Sequence, residues 1–304
     1  MTDRQPPATA RLKHHARQIN RFRWVRKARN VARGEGNATR AQALRYVLTD
    51  PELDTYSYEV ANAAELADSI TGITGLTQPE VLALFDEART DPVLAARIRR
   101  GSRWDLSVKR QPAIGRHLVS YAIARAIRPP AVLEIGVRFG LGSLVILRAL
   151  ERNGAEGSPG ELVSVDIDPF AGSMVPRDTP GWRFVAGPSP DVLAEAVAGR
   201  RIGFMIADSI PQPWATTAEV RTALAAAAPP LVVMQSGWNM VLPDICDSVG
   251  LTWVRLVEQP VAHIGAGRQA FLARFGDADQ VARALAVATA APDGMRGPNG
   301  ERLP

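Results

Sequence analysis

Cysteine, histidine and lysine are scarce in this chain of 304 residues. It contains one cysteine, Cys246, four histidines and three lysines, so arginine supplies nearly all of the 36 basic side chains. A single cysteine excludes an intramolecular disulfide. So few thiol and imidazole ligands also argue against a structural zinc site. We therefore expect a fold that is stabilised by its core and that has no structural metal.

Long apolar runs are also missing. The stretch from Leu224 to Met234 is interrupted by Pro229 and Pro230, and it is shorter than the roughly 20 residues that a membrane helix needs. No apolar stretch follows the basic N-terminus, so a secretory signal is not predicted. A composition of 46% hydrophobic and 22% charged residues is ordinary for a globular protein and excludes disorder throughout the chain. We expect a cytoplasmic protein with no membrane association.

The positive charge is concentrated at the N-terminus. Residues 1–33 contain ten Lys or Arg and one acid, a net charge of +9, whereas the remainder of the chain has a net charge of −4. Such an arm could contact phosphates or an acidic partner, or it could be a solvated or dimer-packing helix. We favour the second interpretation, with a homodimer or higher homo-oligomer as the assembly.

Four regions are predicted along the chain. A basic arm spans residues 1–35, and a helical lid or dimerisation region spans 36–110. The capping-box pattern of Thr77 and Glu80 and the pair Asp91-Pro92 mark helix starts in that second region. The main domain spans 111–276, and a C-terminal helix and tail span 277–304.

Strand and helix patterns alternate after residue 112. Seven short apolar segments are separated by helical patterns, which predicts an α/β fold with a doubly wound, mostly parallel sheet. The last two strands are joined by a short turn, Gly265-Ala-Gly267, so we expect an antiparallel pair at one edge.

A glycine-rich turn follows the first of these strands. Glu134 stands near the strand end, and Gly136, Gly140 and Gly142 follow it. In open α/β sheets such a turn lets a ligand approach the backbone at the carboxyl edge. The spacing is neither the dinucleotide fingerprint nor a P-loop. An acid at this position suits a cofactor that carries positive charge.

This segment resembles the first motif of the class I S-adenosylmethionine-dependent methyltransferases, and in particular their small-molecule O-methyltransferase branch, with E-[IL]-G-x-x-x-G. Arg138 stands where the second glycine of the family often occurs. The resemblance implies a Rossmann-like methyltransferase fold, S-adenosyl-L-methionine as cofactor and S-adenosyl-L-homocysteine as product.

Three further motifs follow in the order that the family has. Asp166 ends the second strand, where the family binds the ribose hydroxyls, and Ile167 is placed for the adenine face. Ser189 lies in Gly187-Pro-Ser-Pro-Asp191, which is similar to the family's adenine-contacting stretch. Asp208 ends the fourth strand at the mouth of the site. Together with Glu134 and the glycines, these residues are the predicted cofactor contacts.

The chain departs from the metal-dependent members of the branch. Gln235 and Ser236 end the fifth strand, where those members carry charged or strong oxygen ligands for a divalent cation. The usual lysine base after the fourth strand is also absent. We therefore predict metal-independent transfer, no metal ligands, and Asp208 and His263 as catalytic candidates. The predicted substrate contacts follow the fourth and fifth strands and are Trp214, Gln235, Trp238 and Asn239.

Three functions are compatible with these patterns. The leading hypothesis is methylation of a hydroxyl on a small molecule, as in natural-product biosynthesis. A second is a cyclase or rearrangement enzyme that binds the same cofactor without transferring methyl. A third is a nucleic-acid methyltransferase or binding module that uses the basic arm. We disfavour the third, because the catalytic half is acidic and the segment Asp208-Ser-Ile-Pro211 lacks the aromatic that would stack a flipped base.

Overall fold

The computed structural model describes residues 57–101, 113–209, 212–237, 239–261 and 267–291. The basic arm, the predicted helical stretch before residue 57 and the C-terminal tail lie outside the described residues, as do His263 and Trp238. No helix among the described residues combines the length and the apolar character that crossing a membrane would require.

Seven strands form one sheet. They are β1 (Ala131–Ile135), β2 (Glu161–Asp166), β3 (Trp182–Ala186), β4 (Ile202–Ala207), β5 (Ala227–Ser236), β6 (Trp253–Val257) and β7 (Gln269–Phe275). Their order is β3-β2-β1-β4-β5-β7-β6. β1 to β5 pair in parallel, and β7 lies antiparallel between β5 and β6. The predicted doubly wound fold and its antiparallel edge pair are confirmed.

Helices cover both faces of the sheet. The described helices are α1 (Ala63–Ser69), α2 (Thr71–Thr74), α3 (Gln78–Thr90), α4 (Pro92–Gly101), α5 (Leu118–Ile127), α6 (Leu141–Ala155), α7 (Ser189–Val197), α8 (Pro213–Ala225), α9 (Val241–Val249) and α10 (Ala278–Ala290). Val132 of β1 belongs to the apolar cluster that contains residues of α1 to α6, whereas Leu133 belongs to the cluster that contains residues of α7 to α10. This alternation is the period of two that a strand imposes, so each face of the sheet carries its own apolar core.

The N-terminal helices are part of the first core and not a separate body. Phe85 of α3 and Leu94 of α4 are fully buried in the same apolar cluster as the sheet. The predicted capping box of Thr77 and Glu80 is present at the start of α3. Asp91 accepts from the backbone N–H of Leu94 and also binds two arginines of α6, so one buried carboxylate caps α4 and ties it to the main domain.

Two elements begin earlier than the sequence pattern suggested. α8 starts at Pro213, whereas the sequence pattern predicts a helix from Thr217 to Ala227; a proline is tolerated in the first helical turn. β5 starts at Ala227 and passes through Pro229 and Pro230. Prolines donate no ladder hydrogen bond, and the register to β4 shifts at this point, so the strand accommodates them near its beginning.

Candidate active site

A cavity of about 670 Å³ opens at the carboxyl ends of the parallel strands. β1 and β4 are adjacent in the sheet although β2 and β3 lie between them in the chain, so the connections leave β1 and β4 in opposite directions. Ligands of open α/β sheets bind at such a switch point. The predicted residues Glu134, Gly136, Gly142 and Asp166 line this cavity, together with Asp208.

The turn after β1 needs its glycines. Gly136 has φ of +88°, and a Cβ at that position would overlap the backbone carbonyl of Asp208. Gly140 has φ of +89° and caps α6. Arg138, which stands in place of the family's second glycine, also has a positive φ, +52°. The backbone therefore keeps the left-handed conformation at this position without a glycine, at a cost of about 1–2 kcal/mol.

Glu134 is buried below this turn. Its Oε2 accepts from the hydroxyls of Ser143, at 2.6 Å, and Ser164, at 2.7 Å. Burial raises the pKa of Glu134 to about 7, although both hydroxyl bonds favour the charged form. The carboxyl thus holds β1, β2 and α6 together and still faces the cavity.

Asp166 supports the same turn from β2. Its Oδ2 accepts from the backbone N–H of Val137, at 2.8 Å, and of Arg138, at 2.9 Å, while Oδ1 accepts from that of Asp168. Three backbone donors fix the direction of the carboxylate without filling all of its acceptor sites. Next to it, Ile167 is 67% exposed. The structure therefore places a fixed carboxylate and an exposed apolar side chain on one edge of the cavity.

Ser189 lines the cavity as predicted, and its partner is a residue that the sequence analysis missed. The Ser189 hydroxyl donates to Oε1 of Glu219 at 2.6 Å, and the Ser209 hydroxyl donates to the same oxygen at 3.0 Å. Glu219 is fully buried within α8, and burial raises its pKa. Its presence on an otherwise apolar helix face was the signal that could have revealed it.

Asp208 lies between two arginines that the sequence analysis also missed. Its Oδ2 is 2.8 Å from Nη2 of Arg116, in the short turn before α5, and 3.7 Å from Nη2 of Arg268, just before β7. Burial alone would raise the pKa of Asp208, but Arg268 and Arg116 outweigh it and lower that pKa to about 2. Asp208 is therefore a fixed anion over the physiological range.

Comparisons with known proteins relate this chain to methyltransferases. A family model described as "Methyltransferase domain" matches residues 133–234, which run from β1 to β5 and contain Glu134, Asp166 and Asp208. The matched residues form a methyltransferase domain that spans about a third of the chain. No curated protein sequence matches the chain.

Several solved structures are similar to this methyltransferase. The O-methyltransferase TomG from Streptomyces achromogenes is 18% identical, with 61% of this chain and 91% of that chain covered and a TM-score of 0.41. An O-methyltransferase from Bacillus cereus is 13% identical, with coverages of 69% and 97% and a TM-score of 0.41. The methyltransferase PaMTH1 from Podospora anserina is 13% identical, with coverages of 70% and 96% and a TM-score of 0.41.

The predicted substrate residues of the methyltransferase separate into two groups. Trp214 lines the cavity, is 47% exposed and donates through Nε1 to Gln212. Gln235 and Asn239 are buried and do not line the cavity. Gln235 donates to the backbone oxygen of Asn239 and accepts from the backbone N–H of Leu242. The structure therefore gives these two amides a different position from the one predicted: they fix the start of α9.

The guanidinium of Arg268 lies between the ends of β4 and β5. The Nε of Arg268 donates to the hydroxyl of Ser236 at 2.7 Å, and the same side chain pairs with Asp208. No group of three or more potential metal ligands occurs among the described residues. A divalent cation beside Asp208 would face the repulsion of this guanidinium at close range.

Proposed function

We propose that this methyltransferase acts on a hydroxyl of a small molecule and that it does so without a divalent metal. The observation that carries the proposal is the continuity of one cavity, which joins the glycine turn of β1 to the cluster of Asp208, Arg116 and Arg268. Its volume is typical of sites for small molecules. Cofactor and acceptor would then meet above the ends of β1 and β4.

The residues on one side of the cavity fit S-adenosylmethionine. A Cβ on Gly142 would lie 3.0 Å from Oε1 of Glu134, so a larger residue there would crowd the carboxyl where it faces the cavity. Asp166 offers remaining acceptor sites for ribose hydroxyls, and Ile167 offers an apolar surface for adenine. If held there, S-adenosylmethionine would supply an electrophilic methyl carbon: the acceptor O–C bond would form as the C–S bond breaks, S-adenosylhomocysteine would be the leaving group, and the hydroxyl proton would pass to solvent.

The other side of the cavity orients the acceptor. Alignment of the attacking oxygen contributes much of the rate of such a displacement. Arg116 and Asp208 are fixed by their ion pair, and Trp214 offers an aromatic face at the cavity edge. These side chains would set the direction from which an acceptor approaches the cofactor. A guanidinium next to Asp208 supports the metal-free part of the proposal.

The test is methyl transfer in the presence of a chelator. The protein is incubated with methyl-labelled S-adenosylmethionine and pools of phenols, enols and alcohols, with and without excess EDTA. We expect label in an acceptor fraction at the same rate in both conditions. Loss of transfer in EDTA that Mg²⁺ restores would show that a metal is used and would contradict the metal-free part of the proposal.

A variant of Asp208 sharpens this test. Asp208→Asn should lower kcat much more than it weakens cofactor binding, because the carboxylate lies on the acceptor side of the cavity. Asp279→Asn, on the exposed first turn of α10, is the matched control and should change neither quantity. Cofactor binding with no transfer to any acceptor pool would favour the cyclase or rearrangement hypothesis.

A further inference from the structure

Two guanidinium groups line the cavity beside the carboxylate of Asp208. Arg116 makes a hydrogen bond to Asp208, whereas Arg268 lies 3.7 Å from the same oxygen, beyond hydrogen-bond distance. Both arginines line the cavity wall. Asp208 therefore accepts a hydrogen bond from Arg116 and pairs with the Arg268 guanidinium only at longer range.

Arg268 is held rigidly in this position. Its backbone N–H donates to Oε2 of Glu258 at 3.2 Å, and that carboxyl also accepts from the hydroxyl of Tyr58. The guanidinium donates through Nε and Nη2 to Ser236. Among the described residues, none accepts from its Nη1. A guanidinium that is fixed on one side and has an N–H left on the other is organised to bind an anion.

Several other charged and titratable groups surround the pair. Glu134 lines the same cavity, and burial raises its pKa to about 7. Glu258 and Tyr58 lie behind Arg268 and outside the cavity wall, and burial raises the pKa of both. His117 lines the cavity, and burial together with Arg116 and Arg268 lowers its pKa to about 3, so the imidazole is neutral. Asp208 and His117 are both too weakly basic to take a proton from an ordinary alcohol.

We propose that Arg268 and Arg116 form an oxyanion subsite, which binds the methyl acceptor as the anion of an acidic hydroxyl such as a phenol or an enol. This inference rests on the proposed function, and it specifies the acceptor class for the same cavity. The hydroxyl proton leaves to solvent when the acceptor binds, so the oxygen that forms the bond to the methyl carbon is already an anion. The guanidinium of Arg268 compensates that charge.

The experiment measures binding of 4-nitrophenol, whose anion is coloured and which ionises near neutral pH. Its absorbance is titrated against pH with the full-length protein and S-adenosylhomocysteine, and 4-nitroanisole serves as the probe that cannot ionise. We expect the protein to lower the pKa of bound 4-nitrophenol by roughly one unit or more, as a neighbouring opposite charge does. We also expect it to bind 4-nitroanisole at least about tenfold more weakly.

Arginine variants assign the effect to the subsite. Arg268→Gln should abolish the shift in the 4-nitrophenol pKa, and Arg268→Lys should restore part of it by returning the charge without the planar fork. The matched control is Arg255→Gln, which removes the same charge from an exposed position of the same strand pair. Arg116→Gln provides a second variant if Arg268→Gln does not fold.

The wild-type titration decides the question even without the variants. An unshifted or raised 4-nitrophenol pKa, or no preference for 4-nitrophenol over 4-nitroanisole, would overturn the subsite. Because this readout needs no methyl transfer, the two proposals fail separately. A lowered pKa with no transfer to any acceptor would keep the subsite and contradict the function, whereas transfer to neutral alcohols without the pKa shift would do the opposite.

Discussion

At the scale of single residues, Asp166 has two tasks that a substitution can separate. Its carboxylate supports the glycine turn through backbone N–H groups and keeps acceptor sites for ribose hydroxyls. Asp166→Ala removes a charged acceptor at ~1.5–3 kcal/mol per bond, so affinity for S-adenosylhomocysteine should fall at least about tenfold by calorimetry. Asp168→Ala, two residues further along the chain and outside the cavity wall, is the control. Wild-type affinity in Asp166→Ala, or tight binding of NAD, would contradict this prediction.

Glu134 gives a prediction about pH. Its pKa is raised from 4.5 to about 7 in the fold. Its contribution to stability is therefore complete below about pH 4.5 and is lost as the pH rises through about 7. Glu134→Gln keeps an oxygen acceptor for Ser143 and Ser164 and cannot ionise. Between about pH 4.5 and about pH 8, the free energy of unfolding of the wild type in urea should fall by roughly 2–4 kcal/mol relative to that of Glu134→Gln. Exposed Glu195→Gln is the control, and parallel curves for Glu134→Gln and the wild type would refute the prediction.

Sequence patterns predicted the site residues that directly follow strands, and they missed the site residues that lie in turns and loops. Asp166 and Asp208 follow apolar strands directly, and parallel strands bring their carboxyl ends to one edge, so local pattern and tertiary position coincide. Arg116 and Arg268 stand in a short turn and a loop, where periodicity carries no signal. The position of Gln235 was misjudged for a related reason: its amide bonds depend on where α9 begins, which no strand pattern specifies.

At the scale of elements, the turn between β1 and α6 tolerates no side chain at its first glycine. Gly136→Ala combines an unfavourable φ with an overlap between the new methyl group and the Asp208 backbone. Gly157→Ala is the matched control, because Gly157 has φ of +86° and no atom within 4 Å of the position that a Cβ would take. Gly157→Ala should cost about 1–2 kcal/mol in urea unfolding. Gly136→Ala should cost more and should also weaken S-adenosylhomocysteine binding. Equal losses of unfolding free energy in the two variants would show that Gly136, after β1, does not contact the Asp208 backbone, after β4.

Helix starts were predicted well where a side chain carries the signal. Asp91 caps α4 and Glu80 completes the capping box of α3, and both depend on residues three positions apart. The predicted start of α8, Thr217, is four residues late, because Pro213 marks the first helical turn and the apolar pattern does not include it. The strand predicted at the position of β5 was too short, because paired prolines normally exclude a strand interior. The register shift beside β4 makes room for them.

At the scale of the whole molecule, the N-terminal helices and the cavity are mechanically connected. Tyr58 precedes α1, and its hydroxyl donates to Glu258, which in turn binds the backbone of Arg268. The backbone oxygen of Tyr58 accepts from the N–H of Gly115, next to Arg116. Both cavity arginines are therefore positioned by the segment that leads into the helical region. The catalytic domain and the helices share one core and one set of site contacts.

The charge distribution of the whole chain leads to the last prediction, which concerns the basic arm. Deleting residues 1–33 removes a net charge of +9 and leaves a chain of net charge −4. If the arm neutralised nucleic-acid phosphates, a plot of the logarithm of the binding constant against the logarithm of salt concentration would have a negative slope. The slope would be about −0.9 for each phosphate contacted, and it would vanish when the arm is deleted. We expect no such slope for DNA or RNA in fluorescence anisotropy. We also expect unchanged S-adenosylhomocysteine affinity in the truncated protein, because every described cavity residue lies beyond residue 115. A steep slope that disappears with the arm would instead favour a nucleic-acid acceptor, since the rest of the chain lacks the surplus of positive charge that phosphate binding requires.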